Sequence, residues 1–138
     1  MADIATYLTD TELALISSSI ITDYCIIRSW AHTDDGYIRV RATLANGDFL
    51  EATEYVVLQA GQLMTVDYRY QWMSNDKTTL HRRWDSTPDH PELSSFPHHV
   101  HVGSEKVVLP SQPLSLTELL RLLDLELYSE TDEDRLRE

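Results

Sequence analysis

Ile38, Val40, Ala42 and Leu44 alternate with Tyr37, Arg39, Arg41 and Thr43, and Asn46-Gly47 follows at once. A period of two fits a strand with one face buried and the other wet. The Asn-Gly pair takes up the positive φ angles of a tight type I′ turn, which returns the chain antiparallel to itself. Residues 49–58 supply the returning strand. Whatever else this chain builds, it builds around an antiparallel hairpin with one apolar face.

The pattern extends in both directions. Residues 24–30 are rich in β-branched and aromatic side chains, and Asp34-Asp35-Gly36 reads as the turn that follows them. Gly61 marks the next turn, residues 63–72 a fourth strand, Ser74-Asn75-Asp76-Lys77 a tight turn, and residues 78–85 a fifth strand. Three prolines, Pro88, Pro91 and Pro97, make residues 86–98 an irregular segment. Residues 100–109 have room for one more short strand. At the ends, Thr9 with Glu12 and Ser115 with Glu118 have capping-box spacing, which places helices over about residues 10–20 and from Ser115 to about Tyr128. The expected fold class is α+β. It is a single domain over residues 1–128, an antiparallel meander of five or six strands with one helix at each end, followed by an acidic, frayed tail over 129–138.

A chain of 138 residues, 42% of them hydrophobic, can close one modest core. No apolar run approaches the ~20 residues of a membrane span. Asp3 stands where a secretory leader carries positive charge, so the expected compartment is the cytoplasm. One cysteine, Cys25, cannot form an internal disulfide, and its apolar strand context suggests a buried, inert thiol. The C-terminal leucines cover more than one stripe, so Leu119, Leu122, Leu123 or Leu127 could face a second copy in a homodimer.

Net charge is −12, which opposes sequence-independent binding to phosphates. Its distribution matters more: residues 1–61 carry −6, residues 102–138 carry −5, and residues 62–101 only −1. That central stretch holds five of the six histidines. Centring a two-residue hairpin on Asn75-Asp76 pairs Tyr70 with His81 and Tyr68 with Arg83, which places Tyr68, Tyr70, Trp72, His81 and Arg83 on one face. Such a face could stack bases and dock phosphates, with Tyr68, Tyr70 and Arg82 as substrate-binding residues, unless the aromatics are core.

The chemistry centres on Arg82-Arg83-Trp84-Asp85 and on His90, His98, His99 and His101. One reading is metal-free RNA cleavage, in which the RNA's own 2′-hydroxyl attacks the adjacent phosphate. His90 and one of His98, His99 or His101 form the acid–base pair, Arg83 or Arg82 clamps the phosphate, and Asp85 orients a histidine. A second reading is a metal site, since His99 and His101 share a strand face and His90 or Asp85 could complete three ligands. The spacing matches no fixed zinc pattern, so no metal and no cofactor is expected. In the third reading the histidines only tie the loop down, with Trp84 and Phe96 as its anchors. Gly-rich phosphate loops, GxSxG elbows and HExxH helices are absent.

Tyr68-Arg69-Tyr70-Gln71-Trp72, Arg83-Trp84-Asp85, Pro88, His90-Pro91-Glu92-Leu93, Phe96-Pro97-His98-His99, His101 and Gly103 stand in an order that resembles the TumE family of small bacterial and archaeal proteins. Asn46-Gly47-Asp48 and Glu54-Tyr55 extend the resemblance over most of the chain. Two positions depart from the family pattern: Asp89, where many relatives carry a second histidine, and His81-Arg82, where an apolar pair is common. The resemblance implies the toxin of a type II toxin–antitoxin system, a cytoplasmic protein neutralised by a cognate antitoxin of the small helix-turn-helix type, with RNA as a target. The alternative is a non-catalytic module whose acidic flanks bind a basic helix-turn-helix partner.

Overall fold

The computed structural model describes residues 2–137, with side chains for residues 2–127. Its elements run α1 (Ile4–Ser17), β1 (Ile21–Ala31), β2 (Asp35–Leu44), β3 (Phe49–Gln59), β4 (Gln62–Met73), β5 (Leu80–Asp85), β6 (His99–Val102), β7 (Val108–Pro110) and α2 (Leu116–Arg137). All strands join one antiparallel sheet in sequence order. The fold is thus a single α+β unit with seven strands rather than five or six. The extra strand comes from residues 99–110, which turn back on themselves instead of running straight through. The frayed tail expected over 129–138 falls on residues whose side chains lie outside those described. Among the described residues no helix is long and apolar enough to cross a membrane.

Ile38, Val40, Ala42 and Leu44 are all 3% exposed or less, as their alternation requires. Gly47 turns at φ 89° but Asn46 does not share its positive φ, so the turn is not the expected type I′: it closes one residue earlier, with the Gly47 N–H on the Leu44 carbonyl. Ala60-Gly61 form the second tight turn at φ 53° and 76°. Both helices lie on the apolar face of the sheet, where Leu15, Leu119, Leu120 and Leu123 complete the core. Leu127 joins them and Leu122 packs against them, so the leucines expected to offer a dimer interface are spent on the interior. Cys25 is exposed because β1 is an edge strand, contrary to the buried thiol its neighbours suggested.

Helix α1 begins six residues before the expected start. Asp3, not Thr9, is the cap: its carboxylate accepts the Thr6 N–H at 2.7 Å and the Thr6 hydroxyl at 3.0 Å. The expected box at Ser115 is present, with the Glu118 N–H donating to the Ser115 hydroxyl and the Ser115 N–H to the Glu118 carboxylate.

The β4–β5 register differs from the expected hairpin. Tyr70 pairs with Trp84, Gln71 with Arg83 and Trp72 with Arg82, and a bulge lies between Trp72 and Met73. The turn is longer than two residues because the Asp76 carboxylate collects the Ser74 hydroxyl and the Thr78 N–H and hydroxyl, while Lys77 takes φ 62°. Tyr70 therefore meets the residue three places beyond His81, and an odd offset exchanges the two faces. Tyr68, Tyr70, Trp72 and Trp84 enter the core, and Arg83 goes to the other side.

Glu54, 1% exposed, joins four elements beneath the helices. Its Oε2 accepts from the Tyr7 hydroxyl of α1 (2.8 Å), the Thr65 hydroxyl of β4 (2.7 Å) and the Leu116 N–H at the start of α2 (3.4 Å), while Oε1 has no partner. Burial pushes this carboxyl above its ordinary value, although Thr65, Tyr7 and Leu116 pull it back.

Two outcomes test this packing. An alanine Cβ at Gly36 would lie 2.5 Å from Ile4 Cγ2 and 3.3 Å from the Trp30 carbonyl, so Gly36→Ala should destabilise the chain by about 1–3 kcal/mol in urea unfolding. An unchanged midpoint would mean that Ile4 does not rest on β2. The folded chain also holds the Glu54 proton more tightly than the unfolded chain does. That contribution is full below the ordinary carboxyl value of 4.5 and is lost as pH rises through the folded value. Measured against Glu54→Gln, the parent should lose relative stability as pH rises above that point; a difference flat between about pH 4 and 7 would exclude a raised carboxyl.

Candidate active site

With Trp84 in the core, strand alternation turns Arg83 and Asp85 to the face away from the helices. β6 sets His101 opposite Arg83 and His99 opposite Asp85. The four side chains form a square on adjacent strands. The irregular segment 86–98 then brings His90 against it, its ring centroid 5.0 Å from that of His99 and 6.0 Å from that of His101. The result is nearly closed to solvent: His99 is 1% exposed, Asp85 4%, His101 5% and Arg83 9%.

Polar contacts hold the segment in place. The Tyr68 N–H donates to the Ser86 hydroxyl, the Ser86 N–H to the Tyr68 carbonyl, and the Thr87 N–H to Asp85 Oδ1 at 3.1 Å. Further along, the Ser95 hydroxyl donates to the His98 carbonyl and accepts from the Ser111 N–H. Phe96, expected to anchor the segment, is 44% exposed, whereas Trp84 is core.

Asp85 is the hub. Its Oδ1 lies 2.8 Å from His99 Nε2, and its Oδ2 lies 3.6 Å from His101 Nε2 and 3.4 Å from Arg83 Nε. The imidazoles are oriented from behind: His99 Nδ1 is 3.0 Å from the Pro97 carbonyl, His101 Nδ1 3.0 Å from the Glu105 carbonyl, and His90 Nδ1 3.1 Å from the Glu92 carboxylate. Asp89 Oδ1 stands 3.7 Å from Nε2 of both His90 and His99. Each of the three histidines offers one nitrogen to a common space, all within 4.8 Å of one another, so this trio is where a metal ion could be held. Burial lowers His101 below the ordinary histidine value, against the opposing pull of the Glu105 carbonyl. The Arg83 guanidinium, 2.8 Å from Glu105, holds that carboxyl below its usual range.

Of the residues expected at the site, His90, His99, His101, Arg83 and Asp85 converge. His98 does not. Its ring stacks on Tyr68 with Nδ1 2.9 Å from the tyrosine hydroxyl, and burial lowers it as well. Tyr68 (2% exposed) and Tyr70 (0%) are core side chains, so neither offers the stacking surface expected of them. Burial first, and the negative charge of Asp85 second, push the Tyr68 hydroxyl up to about 12. Arg82 lies on the same face as these rings, between Trp72 and Trp84 and paired with Glu126 of α2.

Other residues enter that the sequence did not single out. Glu105 and Gln71 both reach Arg83, and Gln71 also meets Arg69. Arg39, Glu51, Thr53, Arg69 and Gln71 line an open groove on the same face of the sheet. The signal for Arg39 and Arg41 was the polar phase of β2; that of Arg69 was its place between two aromatics whose burial would send it outward.

A family model, Toxin TumE, matches residues 10–133, a span that takes in the whole sheet and every residue of this centre. No curated protein and no solved structure matches the chain. A match over most of the chain, with the convergent residues inside it, fixes the kinship: the chain belongs to the TumE toxin family.

Proposed function

We propose that this chain is the toxin of a toxin–antitoxin pair, acting in the cytoplasm, and that it cleaves RNA at the centre formed by Arg83, Asp85, His90, His99 and His101. The observation that carries the reading is the convergence of three imidazoles and an arginine on one buried carboxylate, Asp85. Buried ionisable groups gathered in this way cluster at functional sites. The groove bearing Arg39 and Arg69 leads away from the centre along the sheet and offers guanidinium groups to a phosphate backbone.

Within this reading the RNA's 2′-oxygen bonds to the adjacent phosphorus and gives up its proton to the centre. The P–O5′ bond breaks, and the departing 5′-oxygen takes a proton. The products are a 2′,3′-cyclic phosphate and a 5′-hydroxyl. Arg83, reached through exchange of its partner Glu105, holds the phosphate as charge builds on its oxygens. The partner is a cognate antitoxin, a small basic helix-turn-helix protein complementary to a chain of net charge −12.

A second reading is favoured by the same hydrogen bonds: His90 and His99 also fasten the segment 86–98, and His101 the connection after β6. In that reading, carried by His90 and His99, the chain is a binding module, and its acidic flanks do the work. His90 separates the two, because its side chain is 28% exposed and its loss should spare the fold. Induced expression of the parent should arrest bacterial growth and leave RNA fragments with cyclic phosphate ends. His90→Ala, matched for soluble protein, should lower cleavage about 10²–10⁴-fold and relieve the arrest. Equal arrest by both chains would overturn the assignment of the centre.

A further inference from the structure

The protonation pattern of the three histidines is fixed by what lies behind them. A backbone carbonyl has no hydrogen to give, so the Nδ1 atoms of His99 and His101, each 3.0 Å from one, must carry the protons. His90 follows suit with its Nδ1 against the Glu92 carboxylate. In the neutral ring each Nε2 is then a bare lone pair. These lone pairs do not find donors: His99 Nε2, on a side chain 1% exposed, makes no hydrogen bond, although Asp85 Oδ1 lies 2.8 Å away. A lone pair facing a buried carboxylate at that distance is repulsive unless a proton or a metal ion lies between them, and a proton on His99 Nε2 finds no hydrogen-bond geometry toward Asp85.

The separations suit a single cation. Two ligand atoms on one ion at 2.0–2.1 Å stand about 2.8–3.0 Å apart in octahedral and about 3.3–3.4 Å apart in tetrahedral geometry. The Asp85 carboxylate lies 2.8 Å from His99 Nε2 and 3.6 Å from His101 Nε2, close to that range. The three nitrogens lie within 4.8 Å of one another, against about 3.4 Å around a bound ion, so the rings draw inward on binding. Nδ1–H to carbonyl or carboxylate, with Nε2 presented forward, is also how metal-binding histidines are oriented from behind. Four carboxylates, Asp85, Asp89, Glu92 and Glu105, touch the three histidines or Arg83, so the surroundings attract a cation.

We propose that this centre binds one divalent first-row transition metal of the zinc class, through Nε2 of His90, His99 and His101 and the carboxylate of Asp85. Three imidazoles and no thiolate select against magnesium and calcium and toward zinc or its neighbours. The sequence offered these residues as a metal site only as a second reading, set aside because ligands spread over β5, β6 and the segment between them follow no fixed spacing. The inference rests on the RNA-cleaving reading only for its use: a cation, rather than a histidine pair, then faces the phosphate, and the acidic site becomes hospitable to an anion.

The full chain, purified without an affinity tag and stripped with chelator, should bind one equivalent of Zn²⁺ in equilibrium dialysis. With Co²⁺ it should show visible absorption of a nitrogen- and oxygen-ligated site. His90→Ala and His99→Gln should weaken binding at least about 100-fold, with unchanged far-ultraviolet dichroism for His90→Ala, while His32→Ala, an exposed histidine remote in sequence from the centre, should bind as the parent does. Absence of saturable binding, or binding indifferent to His90→Ala and His99→Gln, would overturn the metal site. The two readings fail separately. Growth arrest that needs His90 in a chain that binds no metal keeps RNA cleavage and removes the metal; one bound equivalent in a chain without effect on growth keeps the metal and removes the cleavage.

Discussion

Trp84 cannot be in the core unless its neighbours in β5 leave it. That single alternation decides the functional face: with the Trp84 ring 4% exposed beneath the helices, Arg83 and Asp85 are delivered to the opposite surface, and β6 need only pair in register to set His101 and His99 beside them. The register itself is held by a bulge at Trp72 and by the Asp76-centred turn. A hydrophobic requirement on one side of the sheet thus places polar chemistry on the other. The cost of burying Asp85 is met locally, by the Thr87 N–H and the Arg83 guanidinium.

The two buried carboxylates divide the molecule between them. Glu54 sits on the core face with hydrogen bonds from both helices and β4, and only one of its oxygens is satisfied. Its task is to tie α1 and α2 to the sheet, and a negative charge at the first N–H of α2 also meets the positive end of that helix. Asp85 sits on the far face with two imidazoles and a guanidinium. Proximity to groups that can carry positive charge, rather than to hydroxyls, sets Asp85 apart from Glu54, and it is on this ground that the proposed centre is placed at Asp85.

Strands were legible where one face is apolar, as in β2 and the return through β3, and Asn46-Gly47 marked the place of the turn between them, though not its type. The start of α1 was not, because Thr9 with Glu12 imitates a capping box inside a helix that Asp3 has already begun. The site residues were legible by type and not by side. Tyr68, Tyr70 and Arg83 appear as one surface only if the turn after Met73 is two residues long, and no sequence rule weighs an aspartate that gathers three donors against that default. His98 and His99 are adjacent in sequence yet serve opposite faces, one stacked on Tyr68 and one against Asp85, which proximity in sequence alone could not separate.

The acidity of the chain looks hostile to an anionic substrate until charge is assigned by face. Alternation in β2, β4 and β5 gathers Arg39, Arg41, Arg69 and Arg83 on the outer surface of the sheet, where the carboxylates that meet them are specific partners. Glu51 answers Arg39 and Arg41, and Glu105 answers Arg83. Glu105 is the one that can yield: its side chain is 73% exposed, and an ion pair with so exposed a carboxylate is weakly held. Asp85 cannot leave, since it is buried and fastened by the backbone. A phosphate approaching this face therefore meets one guanidinium whose outer partner is exchangeable and whose inner partner is fixed, so Arg83 can change ligands without losing its position.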